Sequence, residues 1–330
     1  MLANRIAHII GSINRLRLLH CSQRVVSLVV VLLVVGSVSR CGGPANTPTS
    51  PTTALTTPAF GSGLCAVMSG EVINGASNPR GPYYHQVATA ATSDGLSISG
   101  PRQVLRHASV PDGVRVMDGR VLIYYVNGQT SSVWVARLTA SGATPLGPIS
   151  LDGVPNPEGV VDPDATLTET GAIRLAYLSG FGPPGQSGPR AICLAESFDG
   201  VNFQVLGPAL SSLASVETDP SLVRLPSGSW LMATSRGQET ALARSAGGIV
   251  FSPYDTVAFG GIPELTVTAD GRLRLYVCSS GGIVAYTSDG EGVSWQADGV
   301  VVPSGTLGSG LICDPSLVVD AGLLLFKTAS

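Results

Sequence analysis

The chain has 330 residues, of which 44% are hydrophobic and 12% charged, with 41 glycines and 23 prolines. That balance holds enough apolar residues for a large core, and it fits many short strands joined by tight turns better than long surface helices. Residues 1–41 contain five arginines and no acid, so 14 basic and 22 acidic residues remain, a net charge of −8 that argues against nucleic acid and anionic membranes as partners.

The N-terminus reads as an export signal. Arg5, Arg15, Arg17 and Arg24 precede an almost unbroken apolar run from Val25 to Val35, which is too short to span a bilayer comfortably. Two processing routes stay open: cleavage after Ser37-Val38-Ser39, or lipidation of Cys41, with Arg40 standing where a lipoprotein signal has a small residue. Residues 42–60 are rich in Ser, Thr and Pro and have nothing to pack, so an extended tether is expected. An extracellular or cell-surface location follows, with the membrane reached only through an N-terminal lipid.

Residues 61–330 form the folded domain, and its blades begin near residue 84. Five stretches share one pattern: Val110-Pro111-Asp112, Asp162-Pro163-Asp164, Asp219-Pro220-Ser221, Ile262-Pro263-Glu264 and Asp314-Pro315-Ser316. In the first four, a turn glycine (Gly119, Gly171, Gly228, Gly271) follows eight residues after the proline, and in the fifth Gly322 comes one residue earlier. A second apolar run follows each glycine, so the unit is strand, turn, strand. Another element recurs at Thr92-Ser93-Asp94-Gly95, Thr139-Ala140-Ser141-Gly142, Ser197-Phe198-Asp199-Gly200, Ser245-Ala246-Gly247-Gly248 and Thr287-Ser288-Asp289-Gly290. Glycine supplies the positive φ such hairpins need, so each copy joins a third strand to a fourth and packs on its own sheet.

The two series are offset. A hairpin at 92 precedes the first inner strand, and no hairpin follows the last inner pair. N-terminal strands, about residues 84–105, therefore complete the final sheet, which removes exposed edges. The fold class is all-β, a five-bladed β-propeller closed by its N-terminal strands, and the expected form is a monomer.

Four cysteines lie in the exported part, Cys65, Cys193, Cys278 and Cys313, and they allow three pairings or free buried thiols. Cys278 ends a strand in repeat four and Cys313 opens one in repeat five, so neighbouring blades could bring these two together.

First strands line the channel of a propeller. Asp112, Asp162, Asp164, Asp219, Glu264 and Asp314 are thus expected to ring one mouth, where converging like charges need hydration, a metal or a shared proton. Ca²⁺ is the natural cation for such oxygens. Alternation places the residues on either side of each proline in one direction. Asp219 and Asp314, each followed by Pro-Ser, also suit a purely backbone-capping role. His107 is placed within reach of the channel, and Tyr83, Tyr84 and His85, just before the closing strands, near a mouth. Trp134, Trp230 and Trp295 are assigned to packing.

These blade openings resemble the five-bladed glycoside hydrolases of family 43 and their furanosidase relatives. The resemblance covers residues 84–330 and implies a carbohydrate substrate. It also implies a general base at Asp112 or Asp164, an orienting acid at Asp162 or Asp164, and a proton donor at Glu264. Asp162, Asp219, His107, Tyr84 and Arg236 would then contact substrate. In that family the donor precedes its proline in a Glu-Gly-Pro setting, whereas here Glu264 follows Pro263 and Gly261 holds the earlier position. Asp-Pro-Ser also resembles sialidase-type propellers, but the hairpins lack the full spacing of that group. Arg80, Arg106, Arg115, Arg224 and Arg236 assemble no arginine triad. The expected function is therefore an inverting glycosidase acting through channel carboxylates. The rival is a non-catalytic propeller that binds a glycan, a protein or a metal.

Overall fold

The computed structural model describes residues 64–65, 75–182, 190–210 and 217–329, all within the compact unit Thr57–Ser330. The expected export signal, Cys41 and the expected tether lie outside the described residues. Two N-terminal strands, β1 (His85–Ala91) and β2 (Ser99–Arg106), come first. The first complete sheet is β3 (Ala108–Arg115), β4 (Val121–Asn127), β5 (Val133–Thr139) and β6 (Gly142–Pro148). A short pair, β7 (Ser150–Leu151) and β8 (Val154–Pro155), is added to the edge of the second sheet, β9 (Val161–Leu167), β10 (Ile173–Ser179), β11 (Ala191–Ser197) and β12 (Asn202–Leu210). The third comprises β13 (Thr218–Arg224), β14 (Trp230–Arg236), β15 (Glu239–Ser245) and β16 (Ser252–Val257). The fourth is β17 (Gly261–Val267), β18 (Leu273–Ser279), β19 (Gly282–Ser288) and β20 (Trp295–Pro303). Last come β21 (Ile312–Val318) and β22 (Leu323–Ala329).

The fifth sheet has the order β2-β1-β22-β21, so the N-terminal strands close the ring as the offset of the two repeat series requires. His85 pairs with Ala329 and Ala91 with Leu323, an unbroken antiparallel ladder. Inner strands β3, β9, β13, β17 and β21 contact one another in a closed cycle. The molecule is an all-β, five-bladed propeller. Helix among the described residues is confined to four short 3₁₀ turns.

Five buried clusters hold the blades together, one at each interface. Tyr124 of blade one packs with Leu175 and Tyr177 of blade two, and Met232 of blade three with Leu178 and Leu194 of blade two. Leu231 meets Leu275 between blades three and four, Tyr276 meets Phe326 between four and five, and Ile123 meets Leu325 between five and one. At roughly 1.5–3 kcal/mol for each large apolar side chain fully buried, these faces dominate the stability of the ring. Two disulfides add covalent ties, Cys65–Cys193 with Cα atoms 6.0 Å apart and Cys278–Cys313 with Cα atoms 5.1 Å apart. The second is the inter-blade pairing the sequence suggested.

The repeated proline does not open its strand. It lies inside it, in a β-bulge that recurs five times. On β3, Ser109 pairs with Val126 and Asp112 with Tyr124, so three steps match two on the neighbour. The same shift appears on β9, β13, β17 and β21. Each inner strand is the channel-side edge of its sheet, where the N–H that proline lacks would have had no ladder partner. The residue before each proline has positive φ, between 47° and 54°: Val110, Asp162, Asp219, Ile262 and Asp314. Aspartate tolerates this region, whereas β-branched Val110 and Ile262 do so only under strain of about 1–3 kcal/mol each.

The Asp-Gly hairpins also differ from expectation. Asp94 does tie its own turn, accepting from Leu96 and Ser97 N–H groups at 2.8 Å each, and Asp199 does the same with Val201 and Asn202. The turn carbonyls, however, are gripped by the adjacent blade. Tyr124 Oη donates to Gly200 O (2.9 Å), Tyr276 Oη to Gly95 O (2.7 Å) and Arg174 Nη1 to Gly248 O (2.9 Å).

Candidate functional site

The bulge breaks strict alternation, and so the acids form two tiers rather than one ring. The inner tier consists of the residues after the prolines: Asp112, Asp164, Ser221, Glu264 and Ser316. Each accepts a hydrogen bond from a backbone N–H of the next blade, and the five bonds close on themselves. Ala165 N–H donates to Asp112 Oδ2 (2.6 Å), Leu222 to Asp164 Oδ2 (3.0 Å), Leu265 to Ser221 Oγ (2.8 Å), Leu317 to Glu264 Oε1 (3.1 Å) and Gly113 to Ser316 Oγ (3.0 Å). Ser221 Oγ–H also donates to Glu264 Oε2 (2.9 Å), so both oxygens of Glu264 are engaged.

All three acids of this belt are buried. One oxygen from each lies within 4.8 Å of the others. Desolvation, followed by the neighbouring carboxylate charges, pushes Asp164 and Glu264 well above the ordinary carboxylate range; desolvation likewise raises Asp112 to about 7. Raised proton affinity at these sites is how like groups coexist so closely. An acid pair that attacks a sugar with water stands about 6.5–9.5 Å apart across an open cleft. Asp112, Asp164 and Glu264 are closer, and together with Asp162, Asp219 and Asp314 they line a cavity of about 20 Å³, room for a water but not for a sugar ring. A second hollow of about 160 Å³ lies on their far side, at the C-terminal ends of the inner strands. Their oxygens are a donor set that a hard cation could use.

The outer tier consists of residues before the prolines. Asp162 and Asp219 are partly exposed here, and Asp314 is buried and ion-paired with Lys327 of β22. Lys327 is the only lysine in the chain. Thr218 Oγ1 donates to Asp219 Oδ2 (2.6 Å). Burial first, and then the charges of Asp219 and Asp314, raise Asp162 well above its ordinary value. Burial, and next the charge of Asp314, lift Asp219 to about 6. His85 adjoins the group, its Nδ1 2.9 Å from Ser109 Oγ, and burial together with Lys327 lowers its affinity for protons. Val110 and Ile262 fill the two remaining positions, so carboxylates occupy only part of the ring.

The other expected contacts lie apart from this tier. His107 stacks on Tyr83 with ring centroids 4.0 Å apart, and its Nδ1 is 2.6 Å from Tyr83 O, which ties it into the loop that enters β3. Tyr84 meets Tyr83 edge-on and donates to Ala76 O (3.0 Å). Arg236 pairs with Glu217 at 2.6 Å, at the end of a groove on blade three. Trp230 packs under Arg174, whose guanidinium carbon is 4.8 Å from the ring centroid. Residue patterns placed His85 near a mouth but did not select Ser109 or Lys327, although a sole lysine in an acidic body was a usable signal.

No family model matches this chain, and no curated protein matches it. Solved structures do. A protein of unknown function from Dyadobacter fermentans is 15% identical over 77% of this chain and 85% of its own, with a TM-score of 0.53. An α-L-arabinofuranosidase of glycoside hydrolase family 43 from Clostridium thermocellum is 17% identical over 63% of this chain and 78% of its own, with a TM-score of 0.48. A thermostable family-43 glycoside hydrolase is 12% identical over 68% of this chain and 88% of its own, with a TM-score of 0.49. At such identities the likeness is one of fold.

Proposed function

We propose that this propeller acts on a glycan as a glycosidase, with the outer tier as its working carboxylates and the belt of Asp112, Asp164 and Glu264 as the scaffold beneath. One observation carries the reading: Asp162, Asp219 and Asp314 converge at one end of the channel in different electrostatic settings. Glycosidic hydrolysis needs one carboxyl ionised and another protonated. Asp219, raised only to about 6, is mostly ionised at neutral pH and takes the proton of an attacking water. Asp162, whose proton affinity is raised by burial and by the charges of Asp219 and Asp314, gives its proton to the leaving oxygen as the bond to the anomeric carbon breaks, a single displacement with inversion. The Asp314–Lys327 ion pair on blade five adds a fixed pair of charges to the same tier. Names of structures with this fold, an arabinofuranosidase and family-43 hydrolases, direct the choice of substrates to test.

The test is hydrolysis of 4-nitrophenyl arabinofuranosides, xylosides and galactosides and of matching oligosaccharides, with Ca²⁺ and with EDTA because the belt oxygens could hold that cation. Wild type is expected to turn over one of these, with activity climbing as pH passes about 6 and Asp219 ionises. Asp162→Asn and Asp219→Asn should each lose at least about a hundredfold, while Asp164→Asn and Glu264→Gln keep turnover and shift only the melting temperature. The reverse pattern would return the chemistry to the belt. A second reading, a propeller that binds a glycan without cleaving it, is favoured by the cavity of about 20 Å³ at Asp162, Asp219 and Asp314, which admits a water but no sugar ring. Binding that Asp162→Asn abolishes, with no turnover by wild type, would select it.

A further inference from the structure

A groove of about 350 Å³ crosses blade three, and the reaction above leaves it unused. It starts at Glu217, two residues before Asp219, passes Thr234 and Arg236 of β14 and Leu242 of β15, and ends at Tyr254 and Asp255 of β16. Its course is therefore radial, from beside the channel to the outermost strand. The volume falls at the lower end of small-ligand pockets, about 300–1,000 Å³, and suits a couple of linked sugar rings.

The lining has the chemistry of neutral polyhydroxylated ligands. Glu217 is held by Arg236 Nη2 at 2.6 Å and by Thr234 Oγ1 at 3.3 Å, which fixes a carboxylate beside a guanidinium fork. That pairing uses one N–H of the fork, and a planar fork beside a carboxylate matches a pair of adjacent hydroxyls. Tyr254 offers an aromatic body at the outer end, 38% exposed and steadied by the Arg244 guanidinium 3.9 Å from its ring centroid. Acidic sugars are disfavoured. Glu217 and Asp255 outnumber Arg236 in the groove, and Asp219 and Asp314 outnumber Lys327 at the channel end, so an anionic ligand would meet net repulsion.

We propose that this groove binds sugar residues of an extended neutral glycan beyond the one that reaches Asp219, so that the ligand is an oligosaccharide lying along blade three. This inference rests on the glycan reading above. Its test separates the two. Wild type is screened on an array of neutral and acidic glycans, and the neutral arabino- and galacto-oligosaccharides are titrated calorimetrically from disaccharide to pentasaccharide. Tyr254→Ala and Thr256→Trp, both at exposed positions of β16, remove the aromatic body or obstruct the groove, and melting curves check their folding. Affinity is expected to rise about tenfold with chain length in wild type. Both variants should lose that rise while binding the disaccharide within about twofold of wild type. A rise that survives in both folded variants, the absence of any rise in wild type, or a preference for acidic glycans overturns the inference and leaves the glycan reading standing. If wild type binds nothing on the array, the glycan reading falls and takes this inference with it.

Discussion

At the scale of single residues, the belt acids set the pH behaviour of the fold. A carboxyl whose folded pKa is raised binds a proton more tightly when folded than when unfolded. Its contribution is therefore fully present below the unfolded value near 4 and is lost as pH rises through the folded value, about 7 for Asp112. Within that window each such group removes up to about 1.4 kcal/mol per pH unit. The melting temperature is thus expected to fall between about pH 4 and pH 7, and Asp112→Asn should flatten the slope, because its amide oxygen can still accept from Ala165 N–H without carrying charge. Calorimetry of the two proteins across that range is the check, and an unchanged slope would remove Asp112 from the account. Ser221 is the residue where the belt has least slack. Its hydroxyl accepts from Leu265 and donates to Glu264, so Ser221→Ala strands two buried groups and should cost about 1–3 kcal/mol in denaturant unfolding.

At the scale of elements, the hairpin turn and the bulge show how far residue patterns reach. Strand, turn and blade count were legible because proline and glycine recur at a fixed spacing, with apolar alternation between them. Closure by N-terminal strands was legible because the hairpin series starts before the inner-strand series and ends before it. The bulge was not, since positive φ at Val110 and Ile262 contradicts the habit of β-branched residues and only the closed ring enforces it. One inserted residue then reverses the parity of everything beyond it, which is why a single expected ring of acids became two tiers. The clasp of each turn by the neighbouring blade was equally hidden, as it depends on the distance between sheets. That clasp is measurable. Tyr124→Phe and Tyr276→Phe each leave a turn carbonyl without its buried donor and should lower the unfolding free energy by about 1–2 kcal/mol.

At the scale of the whole molecule, blade five joins the two ends of the propeller, and the Cys278–Cys313 disulfide bonds it to blade four. Asp314 follows Cys313 directly, and its backbone N–H lies 3.2 Å from Cys278 Sγ, so the bridge also steadies one member of the outer tier. Replacing both cysteines by alanine should cost about 2–4 kcal/mol and lower the melting temperature. Within the same seam, Lys327 pairs across the ladder with Val87 on one side and Cys313 on the other, while its ammonium meets Asp314. Because no other lysine exists, protein grown with ¹⁵N-lysine would give an amide spectrum containing one signal. That signal comes from the strand where the ring shuts, one residue pair away from the carboxylates at the channel end. It would shift when a ligand arrives and vanish into the unfolded position when the seam opens, so a single resonance can report on occupancy and closure together.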